Sequence, residues 1–238
     1  MTSLKRSSTA TLMASLLALM ALLGCTRVSE NESQNSTSPI LLEEAPEDMV
    51  ILVLDTSGSF APFMLNDGKA WNLATRIVDG MFRARQGHND QLVIAQVSGN
   101  DSPLLWQGKP QQLRQAFSSA SDFRAFVLGK SDMKGSRIYD GISDAVDFCL
   151  NDSRAKKSKR AALLICSDMI DTTPNREQAE TRLIQSLATF GKQGGVVAMY
   201  WVSVHPDEVS RWRRNLDKAG IKGIVESSIA HEPTLPKW

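Results

Sequence analysis

Cysteine is scarce in this chain. There are three in 238 residues, Cys25, Cys149 and Cys166, and no pair forms a CxxC or stands beside histidine at metal-ligand spacing. That excludes a zinc or dithiol redox centre built on sequence-local ligands. Charge of one sign is also lacking: 27 Lys and Arg against 26 Asp and Glu give a formal net charge of +1, so no basic field argues for nucleic acid. The sequence has no GxSxG nucleophile elbow and no internal repeat at periods of about 20–50 residues. The apolar run Leu12–Gly24, "LMASLLALMALLG", falls short of the roughly 20 residues that span a bilayer. What is present is ample apolar content, 42% against 22% charged, with five Trp and eight Phe. That suits one sizeable globular domain with a real core.

The short apolar run follows Lys5 and Arg6, and basic residues before such a segment read as a secretory signal. It ends in "LLGC", Leu22–Cys25, which resembles a bacterial lipobox. The resemblance implies cleavage before Cys25, lipidation of that cysteine, and a location at the bacterial cell envelope. Acyl chains would hold the protein on a membrane, at about 0.8 kcal/mol per buried CH₂. Residue 26 is Thr and not Asp, which in a Gram-negative host favours the outer membrane, facing the periplasm. Loss of residues 1–24 leaves 25 basic against 26 acidic residues, a net charge of −1. Residues 26–47 are polar and rich in Ser, Asn and Glu; they read as a tether. The expected organisation is a signal peptide over 1–24, a tether over 25–47 beginning at lipidated Cys25, and a folded domain over 48–238.

Within the domain, strand and helix patterns alternate. Val50–Leu54, Leu92–Val97, Ala161–Cys166 and Val196–Val204 are apolar, strand-like runs. Leu104–Trp106 reads as a short edge strand and Ile221–Val225 as a last one. Apolar residues at helical spacing predict a helix over 70–81, opened by Asn66 or Asp67, and others over 122–128, 138–149, 179–190 and 206–219. Runs apolar on both faces, separated by helices, predict an α/β fold: a Rossmann-like, doubly wound, mainly parallel sheet of about six strands. In such sheets ligands bind outside the carboxyl ends of the strands, where strand order reverses.

At the end of the first strand stands "VILVLDTSGS", Val50–Ser59. Ser57 and Ser59 flank Gly58, which lets the turn tighten, and Asp55 is beside them. Hydroxyls and a carboxylate converging on one point suit a hard cation such as Mg²⁺, which takes oxygen ligands. Two more candidates fall at equivalent loops. "KGSRIYDGI" sets Ser136 just before a predicted helix, and "LLICSDMID" sets Asp168 just past the third buried strand. The plain alternative is that these serines only cap turns and helices. The set nonetheless resembles the von Willebrand factor type A domain, whose metal-ion-dependent adhesion site opens with Asp-x-Ser-x-Ser. The resemblance covers about residues 48–226. It implies that Asp55, Ser57, Ser59, Ser136 and Asp168 hold a divalent cation, Mg²⁺ or else Mn²⁺ or Ca²⁺. Ser136 stands where the family uses Thr, and Met169 where it often has Gly.

The implied function is that of a binding module and not an enzyme, with a partner protein's Asp or Glu completing the coordination. Two other readings stay open: a Mg²⁺-dependent hydrolase, and a metal-free scaffold of the same fold. Asp132, Asp140 and Asp171 lie near these loops, where each could stand behind the ligands or be solvated, and solvated is the plainer expectation. The basic residues Arg154, Lys156, Lys157, Lys159 and Arg160 read as a solvated face, with contact to an anionic membrane as the lesser alternative. His205 is expected to be structural or solvent-facing, and Tyr200 and Trp201 to be core. Cys149 and Cys166 could be joined in an exported protein, but two apolar core residues is the plainer expectation.

Overall fold

The computed structural model describes residues 46–65, 68–84, 89–97, 103–130, 135, 137–152, 155–202, 206–227 and 234–236, all within the compact unit Glu43–Trp238. The expectations for Cys25, Asn66, Asp67, Asp132, Ser136, Arg154, His205, the signal segment and most of the tether fall outside these residues.

Six strands form one sheet: β1 (Asp48–Asp55), β2 (Gln91–Val97), β3 (Leu104–Gly108), β4 (Arg160–Cys166), β5 (Val196–Tyr200) and β6 (Gly223–Glu226), in the order β3-β2-β1-β4-β5-β6. All neighbours pair in parallel except β2 and β3. This is the doubly wound α/β architecture expected. The alternation of side chains across a strand explains why β1 is apolar throughout. Met49, Ile51 and Val53 enter the core on one face, and Val50, Leu52 and Leu54 the core on the other. Each face needs a covering layer. Helices α5 (Ile138–Asn151), α6 (Arg176–Lys192) and α7 (Pro206–Lys218) bury their apolar stripes on the first face, and α1 (Ala61–Met64), α2 (Lys69–Ala84), α3 (Pro110–Ala116) and α4 (Ala120–Gly129) on the second.

Cys149 packs in the first core and Cys166 in the second. Both are buried free thiols, separated by the sheet, so the apolar reading holds and the disulfide does not. Burial pushes the Cys149 thiol up to about 12, helped by the charge of Asp152, and raises Cys166 as well.

Two glycines mark close approaches. A Cβ on Gly141 would lie 2.8 Å from Cγ1 of Val97, so glycine lets α5 settle against β2. A Cβ on Gly68 would lie 2.3 Å from the carbonyl oxygen of Phe63, and the Gly68 carbonyl accepts from the Asn72 amide at the start of α2.

Three elements differ from expectation. Strand β5 stops at Tyr200 and not at Val204, because Trp201 turns the chain with φ of 65°; the apolar run continues and hides the break. Helix α3, opened by Pro110 and carrying only Pro110 and Leu113 as buried residues, gave too little periodicity to be seen. The single-turn α1 directly after the DTSGS loop was equally silent. Tyr200 and Trp201 are buried, as expected.

Candidate metal centre

Chain order turns back between β1 and β4. The strands run outward from β1 through β2 to β3, then return to β4 on the other side. The carboxyl ends of β1 and β4 therefore flank the switch point, where ligand sites of such sheets lie. Both predicted acids sit there. Asp55 is the last residue of β1, and Asp168 lies two residues beyond β4.

Short-range hydrogen bonds shape the two loops. Asp55 Oδ1 accepts from the amide of Ser57 at 2.8 Å, and Asp168 Oδ1 accepts from the amide of Ile170 at 3.0 Å. Each is an aspartate folding its own backbone two residues on. The carbonyl of Ser57 then accepts from the amides of Phe60 and Ala61, which starts α1. This turn brings the Ser57 and Ser59 hydroxyls within 3.3 Å of each other. Ser59 reaches across to the second loop and donates to Asp168 Oδ2 at 3.0 Å. Asp55, Ser57, Ser59 and Asp168 are thus brought together, Asp55 through the Ser57 amide and the two hydroxyls in line with Asp168. Ser136 is outside the described residues. Thr56 is spent on the fold: its amide donates to the Val97 carbonyl and its hydroxyl to Gln96 Oε1, at 3.0 and 2.9 Å.

Ser167 is a member that the sequence reading missed. Its hydroxyl donates to Asp55 Oδ2 at 2.6 Å and accepts from the amide of Met169 at 2.9 Å. One small side chain therefore ties the end of β1 to the β4 loop. The available signal was position alone, a hydroxyl between the end of a buried strand and a candidate acid.

Asp55 is fully buried, Asp168 half-buried and Ser59 exposed, so the cluster grades from interior to surface. Burial pushes the Asp55 carboxyl up to about 6. Hydrogen bonds from Ser167 and Ser57 oppose this, and the charge of Asp168 adds to it. Desolvation outweighs the donors, so burial disfavours the ionised form.

Asp171 corrects an expectation. It is 4% exposed, not solvated. Its carboxylate accepts from the Tyr139 amide at 2.9 Å and from the Thr173 amide at 2.8 Å, tying the first turn of α5 to the loop after β4. Asp140 is half-buried and ion-paired to Arg137 and Arg182, at 3.5 and 3.7 Å. In the basic run, Arg160 makes a two-pronged pair with buried Asp48, at 2.7 and 2.8 Å, and Lys159 meets Glu47 at 3.5 Å. That end of the run fastens the start of β1, while Lys156 and Lys157 are exposed.

Among the described residues no three His, Cys, Asp or Glu side chains gather into a metal cluster. The assembled donors are two carboxylates and hydroxyls. The fold and these loops together define the class: an α/β domain with an oxygen-donor cluster at the carboxyl edge of its sheet. No family model matches the chain, and a search of curated proteins finds no match. Solved structures do share the fold. The pilus adhesin SpaC from Lactobacillus rhamnosus GG, in its open conformation, superposes with a TM-score of 0.53 at 11% identity, over 76% of this chain and 28% of the adhesin. The D319A mutant of the PilB minor pilin from Streptococcus sanguinis gives 0.52 at 11% identity, over 81% of this chain and 59% of the pilin. This chain therefore answers to about three-fifths of the pilin and just over a quarter of the adhesin. At such identities the likeness is one of fold alone. The VWA domain of SpRpn10, at 14% identity over 76% of this chain and 87% of that one, scores 0.48, too low to support an argument.

Proposed function

We propose that this chain is a lipid-anchored von Willebrand factor type A module that binds a partner protein at the bacterial cell envelope through a divalent cation. The observation that carries the reading is the meeting of Asp55, Ser57 and Ser59 with Asp168, 109 residues from Ser59. The residues fit a hard cation. All donors are oxygen, Asp55 is a buried carboxylate, and Asp168 adds a second negative group to the same cluster. Asp55, Ser57, Ser59 and Asp168 would hold Mg²⁺, Mn²⁺ or Ca²⁺, with Ser136 expected to join from the loop before α5. A cation so held keeps Lewis acidity toward a carboxylate, because hydroxyls donate little charge. That favours capture of an Asp or Glu from a partner over catalysis. The lipobox at Leu22–Cys25 supports the anchor and the envelope location, and the polar stretch after Cys25 supports a tether.

The test is affinity capture from envelope extracts with the full chain, with and without chelator, and with Asp55→Ala. The expected outcome is a partner lost in both the chelated and the substituted samples. A partner retained in both would overturn cation-dependent binding.

A further inference from the structure

Met169 has φ of 58°, in the left-handed region. A residue other than glycine, asparagine or aspartate is costly there. It lies between Asp168 and Ile170, so its backbone sets where the Ile170 amide meets Asp168 Oδ1, the bond that orients this carboxylate. Something must hold this turn, and the surrounding contacts show what does.

The Met169 amide donates to Ser167, as described. Its carbonyl accepts from the hydroxyl of Tyr139 at 3.1 Å. Tyr139 is fully buried on the first turn of α5, with its own amide bound to Asp171 of the same loop. It therefore grips the β4–α6 connection twice. Its ring packs edge-on against Trp212 at 5.5 Å. Its hydroxyl accepts from Arg211 Nη2 at 3.2 Å. Arg211 is fixed in turn by Glu208 at 2.6 Å and by Glu180. The relay runs from an arginine clamped by two carboxylates, through a fully buried phenol, to the carbonyl of the strained residue.

We propose that Tyr139, backed by Arg211, is a positioning residue that holds Met169 in its left-handed turn and so aims Asp168 at the oxygen cluster. The proposal rests on reading that cluster as a cation site. Its signature is rescue by glycine, which adopts positive φ without the Cβ penalty. If Tyr139 acts by imposing that backbone, a glycine at 169 makes the tyrosine hydroxyl dispensable for cation binding.

The experiment is calorimetric titration of the full chain in detergent with Mn²⁺, with the metal-free melting temperature measured alongside. Tyr139→Phe is expected to weaken Mn²⁺ binding about five-fold, the equivalent of about 1 kcal/mol for one hydrogen bond. In Tyr139→Phe/Met169→Gly, affinity should return to within about two-fold of the parent. The melting temperature of the double variant should nevertheless fall below that of Tyr139→Phe, because glycine deletes a side chain that is only 1% exposed. Affinity and stability then move in opposite directions, which a purely structural tyrosine cannot produce. Arg211→Gln removes the donor behind the phenol and should weaken binding in the same way, with the same rescue. It also serves where Tyr139→Phe fails to fold. Parental affinity in both Tyr139→Phe and Arg211→Gln would overturn the proposal, as would weakened binding that glycine does not restore. A parent chain that takes up no Mn²⁺ would sink the cation reading itself, and the positioning role with it.

Discussion

Asp55 is a carboxylate that its surroundings penalise. It sits at the end of a strand buried on both faces, and it keeps a raised pKa of about 6 despite accepting from Ser57 and Ser167. A residue chosen for stability alone would be neutral. Asp55→Asn keeps an acceptor for the Ser57 amide, reverses the Ser167 contact so that the side-chain amide donates to that hydroxyl, and removes the desolvated charge with its repulsion toward Asp168. The expected outcome at neutral pH is a metal-free melting temperature equal to or above that of the parent, together with loss of any Mn²⁺-dependent rise. Differential scanning calorimetry reads both, and a clear fall in the metal-free value would show that the charge is structurally needed. At this scale the candidate site was largely legible. Asp55, Ser57, Ser59 and Asp168 could be named because strand ends concentrate function and because hydroxyl and carboxylate side chains are rare inside apolar runs. Ser167 was not legible, since a hydroxyl between a strand and an acid has many ordinary uses, and only the 2.6 Å contact to Asp55 reveals this one. Asp171 was misread because acids in loops are usually solvated, and its role depends on an amide 32 residues away.

The elements were legible to the extent that their burial was simple. Strands β1, β2 and β4 are apolar on both faces, and each appeared as a bounded run. Strand β5 was overextended because burial continues through Trp201 and Val202 after the ladder ends; hydrophobicity reports burial, and only the φ of Trp201 reports the turn. Helix α5 owes its placement to a side chain outside itself. Its N-cap residue, Arg137, makes no side-chain cap, and the Tyr139 amide is satisfied by Asp171 instead. A carboxylate here also meets the positive end of the helix dipole. Asp171→Ala would orphan a buried amide of α5 and loosen the turn at Thr173. The expected cost is about 2 kcal/mol of unfolding free energy, read as a lower urea midpoint with an unchanged slope. A change within a few tenths of a kcal/mol would mean that water or another group replaces the carboxylate.

At the scale of the whole molecule, the sheet places its cost and its use at one edge. The opposite end is closed by the Arg160–Asp48 pair, while the edge formed by the ends of β1 and β4 gathers negative groups with hydroxyls between them. That arrangement has a thermodynamic consequence. A ligand that binds only the folded chain stabilises it by RT ln(1 + [L]/Kd), about 2.7 kcal/mol at one hundred times Kd. For a domain of this size each kcal/mol moves the midpoint by about 2–4 °C, so saturating Mn²⁺ or Mg²⁺ should raise the melting temperature by about 5–10 °C. Chelator should reverse the rise. Asp168→Ala should abolish it, because that variant removes the carboxylate supplied by the second loop and leaves both cores untouched. The same titration separates the competing readings. A metal-free scaffold of this fold would show no shift at any concentration. A hydrolase would show the shift and, in addition, turnover of phosphoester or ester substrates that disappears in Asp168→Ala. A binding module would show the shift without turnover, and its further stabilisation would come only from an added protein that presents a carboxylate.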